Sequence, residues 1–139
     1  MVSSVSLGQF DYFYFDRNAT QLAGCATLAI TVTPSTSGGD VDLYVSNRPF
    51  LSSGACSSLA SLCLNSIQSG VDTIQLLSTS TTTTGFFYVA VKGYSATAYT
   101  LALQWQGPTG ACSSAVGTPP ISRARMNSPF KFVFALMTS

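Results

Sequence analysis

Residues 98–106, AYTLALQWQ, set Tyr99, Leu101, Leu103 and Trp105 against Thr100, Ala102, Gln104 and Gln106 in strict alternation, and this two-residue period recurs along the chain. Side chains two apart share one face of a strand, so each such stretch is a ribbon with one face for a core. No window carries the 3.6-residue stripe of an amphipathic helix. Residues 10–16 place Phe10, Tyr12 and Tyr14 on one face and Phe13 and Phe15 on the other. Residues 26–33 turn Leu28, Ile30 and Val32 inward and stop at Pro34, which has no N–H to give a ladder. Residues 41–46 direct Val41, Leu43 and Val45 to the core and end at Asn47-Arg48-Pro49. Residues 73–77 read as a short strand, and residues 85–92 alternate Phe87, Val89 and Val91 with Phe86, Tyr88 and Ala90. Short strands separated by turns predict an all-β fold, an antiparallel β-sandwich of jelly-roll type, with residues 50–70 as a loop.

The composition shifts after Gln106. Residues 107–129 are rich in Gly, Pro, Ser and Ala and read as a linker, and residues 130–137, FKFVFALM, read as one more strand. The expected plan is a sandwich over 1–106, a linker over 107–129 and a C-terminal strand within 130–139.

Charge excludes several function classes. Only 8% of the 139 residues are charged, against roughly 25% in an ordinary soluble protein. Five are Asp, none is Glu and none is His. Ser and Thr number 37, which suits secreted, sugar-bearing β-proteins and is poor for helices. A net charge of +1 provides no basic field for nucleic acid. Apolar runs are interrupted far short of the roughly 18–20 residues that span a bilayer, so no membrane insertion is expected. The N-terminus lacks the basic start, apolar stretch and cleavage site of a secretory leader, and the expectation is that a leader has already been removed.

Cys25, Cys56, Cys63 and Cys112 form an even set without close C-x-x-C pairs or a histidine, which points to disulfides rather than zinc. Of the three connectivities, Cys56 to Cys63 and Cys25 to Cys112 are favoured; the first closes a short loop and the second ties an early strand to the chain leaving the last core strand. Both require an oxidising compartment. Asn18-Ala19-Thr20 is a glycosylation sequon between two predicted strands. The tract around Thr81, Thr82 and Thr83 is a candidate for O-linked sugar, with a plain hydroxyl-rich loop as the alternative.

The run Gly38-Gly39-Asp40-Val41-Asp42-Leu43-Tyr44-Val45 resembles the signature strand of the bacterial pre-peptidase C-terminal domain. Asp11 to Phe15, Leu28 to Val32, Gly85 to Val91 and Tyr99-Thr100-Leu101 resemble that family's other strands in order and spacing, over about Gly8 to Gln106. The resemblance implies a small jelly-roll sandwich, of the kind appended to secreted proteases and other surface proteins, with related collagenase modules binding collagen and calcium. The chain adds to that pattern four cysteines, a hydroxyl-rich loop and the C-terminal aromatic strand.

A serine nucleophile requires a base, and without His the usual triad has no members, so no enzyme is expected. Asp40 and Asp42 are a candidate calcium pair, since calcium takes six to eight oxygens and glycine carbonyls lie beside them. The competing reading has Asp40 binding amides of the Ser-Gly-Gly turn and Asp42 fixing a neighbouring loop. Tyr12, Tyr14, Tyr88, Tyr94 and Trp105 are either a stacking platform for sugar or simply core.

An alternating face of Phe130, Phe132, Phe134 and Leu136 is an aggregation hazard in water and must be buried, in its own sheet or in a neighbour. Residues 1–122 carry −2 and the tail +3, which suits an acidic acceptor as well as it suits a solvated linker. The expectation is a non-catalytic extracellular structural module, a glycosylated, self-assembling subunit of a cell-surface fibre or appendage that associates with copies of itself by strand exchange through these four residues. The alternative is a monomeric carbohydrate- or matrix-binding accessory module of a secreted protein, with calcium as its only candidate cofactor.

Overall fold

The two most regular ribbons of the sequence are neighbours, with Leu28, Ile30 and Val32 standing opposite Trp105, Leu103 and Leu101. The computed structural model describes residues 1–16, 27–51, 54, 56–77, 85–107, 110–111, 120–127 and 131–133. Its strands are β1 (Val2–Val5), β2 (Phe10–Asp16), β3 (Thr27–Pro34), β4 (Val41–Ser46), β5 (Cys63–Ser66), β6 (Asp72–Leu77), β7 (Phe86–Gly93), β8 (Thr97–Gly107), β9 (Gly110–Ala111), β10 (Ser122–Asn127) and β11 (Lys131–Val133). One sheet runs β1-β8-β3-β6, with β9 also on β8; the other runs β11-β10-β2-β7-β4-β5. From β1 to β4 and from β5 to β8 each strand crosses to the opposite sheet, and every strand pair is antiparallel. The fold is an all-β sandwich, as the alternation predicts. Among the described residues no helix is long and apolar enough to cross a membrane.

The core follows from the period. Phe13 and Phe15 of β2, Val41, Leu43 and Val45 of β4, and Phe87, Val89 and Val91 of β7 face Leu28, Ile30 and Val32 of β3, Ile74 and Leu76 of β6, and Tyr99, Leu101, Leu103 and Trp105 of β8. Phe15 and Phe87 stack at 5.7 Å, and Phe13 meets the Tyr99 ring edge-on at 6.5 Å. Such side chains are the dominant source of stability; truncating one of the aliphatic ones to Ala costs about 2–5 kcal/mol.

Four strands are absent from the sequence expectation. β1 pairs with the start of β8, and β5 lies inside the expected loop over 50–70. The expected linker over 107–129 contains β9 and β10, and β10 adds to β2 with Arg123 opposite Phe13. These segments are polar, and their neighbours rather than their own periodicity make them strands. The described part of the terminal strand turns back, with Lys131, Phe132 and Val133 opposite Asn127, Met126 and Arg125. These three residues pair within their own sheet. Phe130, Phe134, Leu136, Asn18, Thr81, Thr82, Thr83, Cys25 and Cys112 lie outside the described residues.

Candidate functional site

Alternation gives the six-stranded sheet a second face. With Phe13, Phe15, Leu43, Val45, Val89 and Val91 turned inward, Phe10, Tyr12 and Tyr14 of β2, Asp42 and Tyr44 of β4, and Phe86, Tyr88, Ala90 and Lys92 of β7 stand on the outside. This outer face carries its own cluster. Phe10 stacks on Tyr12 at 5.9 Å and tilts against Tyr44 at 6.2 Å, while Tyr12 meets Phe50 at 6.2 Å.

The loop after β4 covers the middle of this face. Phe50 is buried there, as are Tyr12, Tyr88 and Ala90. Cys56 packs against the same cluster and is bonded to Cys63 at the start of β5, which pins the loop at its far end. Gly54 lies so close that a Cβ would stand 2.3 Å from the Phe10 ring, and its φ of +74° is one that glycine alone adopts freely. Burial raises the Tyr12 and Tyr88 phenols above their ordinary range, because a phenolate there would lose its water.

The end of the face near Lys92 stays open. Tyr94 is half exposed, and the Lys92 ammonium donates to its hydroxyl at 3.2 Å while lying 4.6 Å from the Tyr94 ring centre and 5.7 Å from that of Phe10. Asp42 stands directly opposite Lys92 in the ladder and accepts a hydrogen bond from the Tyr44 hydroxyl at 3.2 Å. Burial raises the Asp42 carboxyl above the usual range, with Asp72 and Asp40 adding to the shift and Tyr44 and Lys92 opposing it. The Tyr44 phenol is pushed up to about 12, by burial first and then by the Asp42 charge. The result is a set of flat apolar rings rimmed by an ammonium and hydroxyls, with the Asp42 carboxylate buried beneath Tyr44, and flat rings beside polar donors are the combination that holds a sugar ring by its face and its edge.

The expected platform is therefore divided. Tyr94 is exposed on it, Tyr14 is half-buried against Phe86, Tyr12 and Tyr88 lie beneath Phe50, and Trp105 belongs to the sandwich core. Lys92, Tyr44 and Phe10, which complete the open end, were not among the expected site residues. The signal that finds them is register: only the pairing of β2, β7 and β4 brings Phe10, Lys92 and Asp42 into one row.

The calcium expectation meets a set that does not fit. Asp42 spends one oxygen on Tyr44, and Asp72, fully buried, accepts through Oδ1 from the Ser66 hydroxyl at 2.7 Å and the Gln68 amide at 3.0 Å. Asp40 Oδ1 and Asp72 Oδ2 are buried without a donor among the described residues. Even so, no three Asp or Cys side chains among the described residues converge to hold an ion. Asp40 instead serves the turn through its backbone: its amide meets the Ser95 hydroxyl at 3.0 Å, and its carbonyl accepts from the Tyr94 and Ser95 amides.

A fourth carboxylate acts structurally. Asp11 Oδ2 accepts from the Tyr99 hydroxyl at 2.7 Å, the Ser3 hydroxyl at 3.1 Å and the Arg123 guanidinium at 2.9 Å, joining β1, β2, β8 and β10 across both sheets. Burial raises the Tyr99 phenol, and its bond to Asp11 adds to the rise. No family model matches the chain, and none of the curated proteins matches it.

Proposed function

We propose that the chain is a non-catalytic, extracellular β-sandwich module that attaches to carbohydrate, or to a carbohydrate-bearing matrix, through the open end of its aromatic outer face. The observation that carries this reading is the cluster of Phe10, Tyr44, Tyr94, Lys92 and Asp42 on a sheet face turned away from the core. Rings that merely stabilise a sandwich belong between its sheets; these lie outside and are only partly covered. The Cys56–Cys63 disulfide supports an oxidising compartment, and the resemblance to pre-peptidase C-terminal modules supports an accessory role beside a secreted partner.

The test is binding to insoluble cellulose, chitin and xylan and to their soluble oligosaccharides, for wild type, Tyr94→Ala and Lys92→Ala. Both positions are at the surface, so the fold should survive, and loss of a stacking ring should weaken binding about tenfold. Binding to none of these probes, or equal binding by all three proteins, contradicts the reading.

Self-assembly by strand exchange is the second reading. It is favoured by the marginal place of β11, which among the described residues pairs with β10 alone, and opposed by the fact that this pairing already occurs at home. Deleting residues 126–139 separates the two: exchange predicts fibres that disappear on truncation, whereas a binding module keeps its ligand and shows no fibres before or after.

A further inference from the structure

Among the described residues the six-stranded sheet ends at β5, which pairs there with β4 alone. Open strand edges invite pairing, and proteins ordinarily guard them with Lys, Pro, a bulge or an inward-pointing charge. The opposite margin of the same sheet follows that habit: Arg123 and Arg125 lie on β10, Lys131 on β11, and the Arg123 guanidinium turns toward Asp11. The β5 margin does not. From Pro49 to Val71 there is no charged residue, and within that stretch Leu51, Leu59, Leu64, Ile67 and Val71 are all exposed, Leu59 at 78% and Ile67 at 61%.

We infer that the β5 edge is an interface for the β5 edge of a second copy, joining two six-stranded sheets about a two-fold axis. Charge decides the occupant: an uncharged, apolar margin matches itself, whereas the cationic β10–β11 margin would have to bury its charges against it. Parity then limits the register. Leu64 lies opposite Val45 and so shares the core-facing side, while Cys63 and Asn65 lie opposite Ser46 and Tyr44 on the outer side. Two-fold antiparallel pairings that keep both cores on one side set Leu64 against its own copy or against Ser66 of the other; the first joins two apolar side chains and is the register inferred, whereas a slip of one residue would set Leu64 against Asn65 and mismatch the faces. The contact is independent of the sugar-binding reading, since it uses the sheet margin and leaves the Lys92 end of the outer face open.

Sedimentation of the full chain over a wide concentration range, with Leu64→Lys and with Thr73→Lys on the open edge of β6, tests this. Wild type and Thr73→Lys should pass from monomer to dimer and stop there. Leu64→Lys, which sets two ammonium groups face to face, should raise the dimer dissociation constant about tenfold or more. A wild type that stays monomeric, one that grows past the dimer into fibres, or a folded Leu64→Lys that dimerises as well as wild type would overturn the inference. Should Leu64→Lys fail to fold, amide hydrogen exchange of wild type decides: protection of residues 63–66 must rise with concentration, and protection that does not rise overturns it.

Discussion

Asp42 and Asp11 show how differently two carboxylates two strands apart are used. Asp11 has three donors and links both sheets, whereas Asp42 has one phenol and two like charges in its vicinity. For Asp42 the folded value lies above the ordinary 3.8 of an exposed carboxyl, so the folded state holds that proton more tightly than the unfolded one. Its contribution to stability is therefore fully present below the ordinary value and is lost as pH rises through the raised one. Asp42→Asn, which keeps an acceptor for Tyr44, should flatten this dependence: in urea unfolding at pH 4 and pH 7, the variant should lose less stability on going to pH 7 than wild type does. An equal loss in both proteins would show that Asp42 is not desolvated. The inward direction of Tyr99 and Leu43 was legible from alternation alone. The partnership of Asp11 with Arg123 was not, because local periodicity carries no information about a residue 112 positions away.

At the scale of elements, the strands that were legible are those with an apolar face of their own, β2, β3, β4, β7 and β8 above all. β5 was hidden because CLNS has no alternation; it is held from outside. Asn47 binds the Ser61 hydroxyl at 2.6 Å through Nδ2, accepts from the Leu62 amide at 3.1 Å and donates its own amide to the Leu62 carbonyl at 3.2 Å, delivering the chain to β4. β10 was hidden by its arginines, one of which proves to be the bond that closes the sandwich side. The chain between β4 and β5 read only as a loop holding two cysteines, yet Phe50 makes it the cover of an aromatic face. Its fit against β2 is testable. Gly54 and Gly70 both have positive φ, but only at Gly54 is the added Cβ crowded. Gly70→Ala should bear only the backbone strain, about 1–3 kcal/mol, and Gly54→Ala should lose more than that in urea unfolding and alter the near-ultraviolet circular dichroism of the aromatic cluster. Equal losses would mean that the loop does not rest on Phe10.

For the whole molecule, the scarcity of charge takes on a spatial meaning. Most of the described cations lie at two places, Lys92 on the open end of the outer face and Arg123, Arg125 and Lys131 on β10 and β11; Arg48, just past the end of β4, stands apart from both, and β5 itself has none. The sandwich class and the core were legible because burial imposes a period on every strand that touches it. The candidate site was only partly legible: the tyrosines were visible as a set, but which of them lie under a loop and which stand beside Lys92 depends on cross-strand register and on one phenylalanine. The account rests on that outer face being a recognition surface. Titration of the intact chain with cello- and chito-oligosaccharides, followed by the chemical shifts of Tyr94, Lys92 and Phe10, tests this most directly. The account predicts saturable shifts concentrated on those three residues and abolished by Tyr94→Ala; saturable shifts confined to some other surface, or no shifts at any concentration, would contradict it.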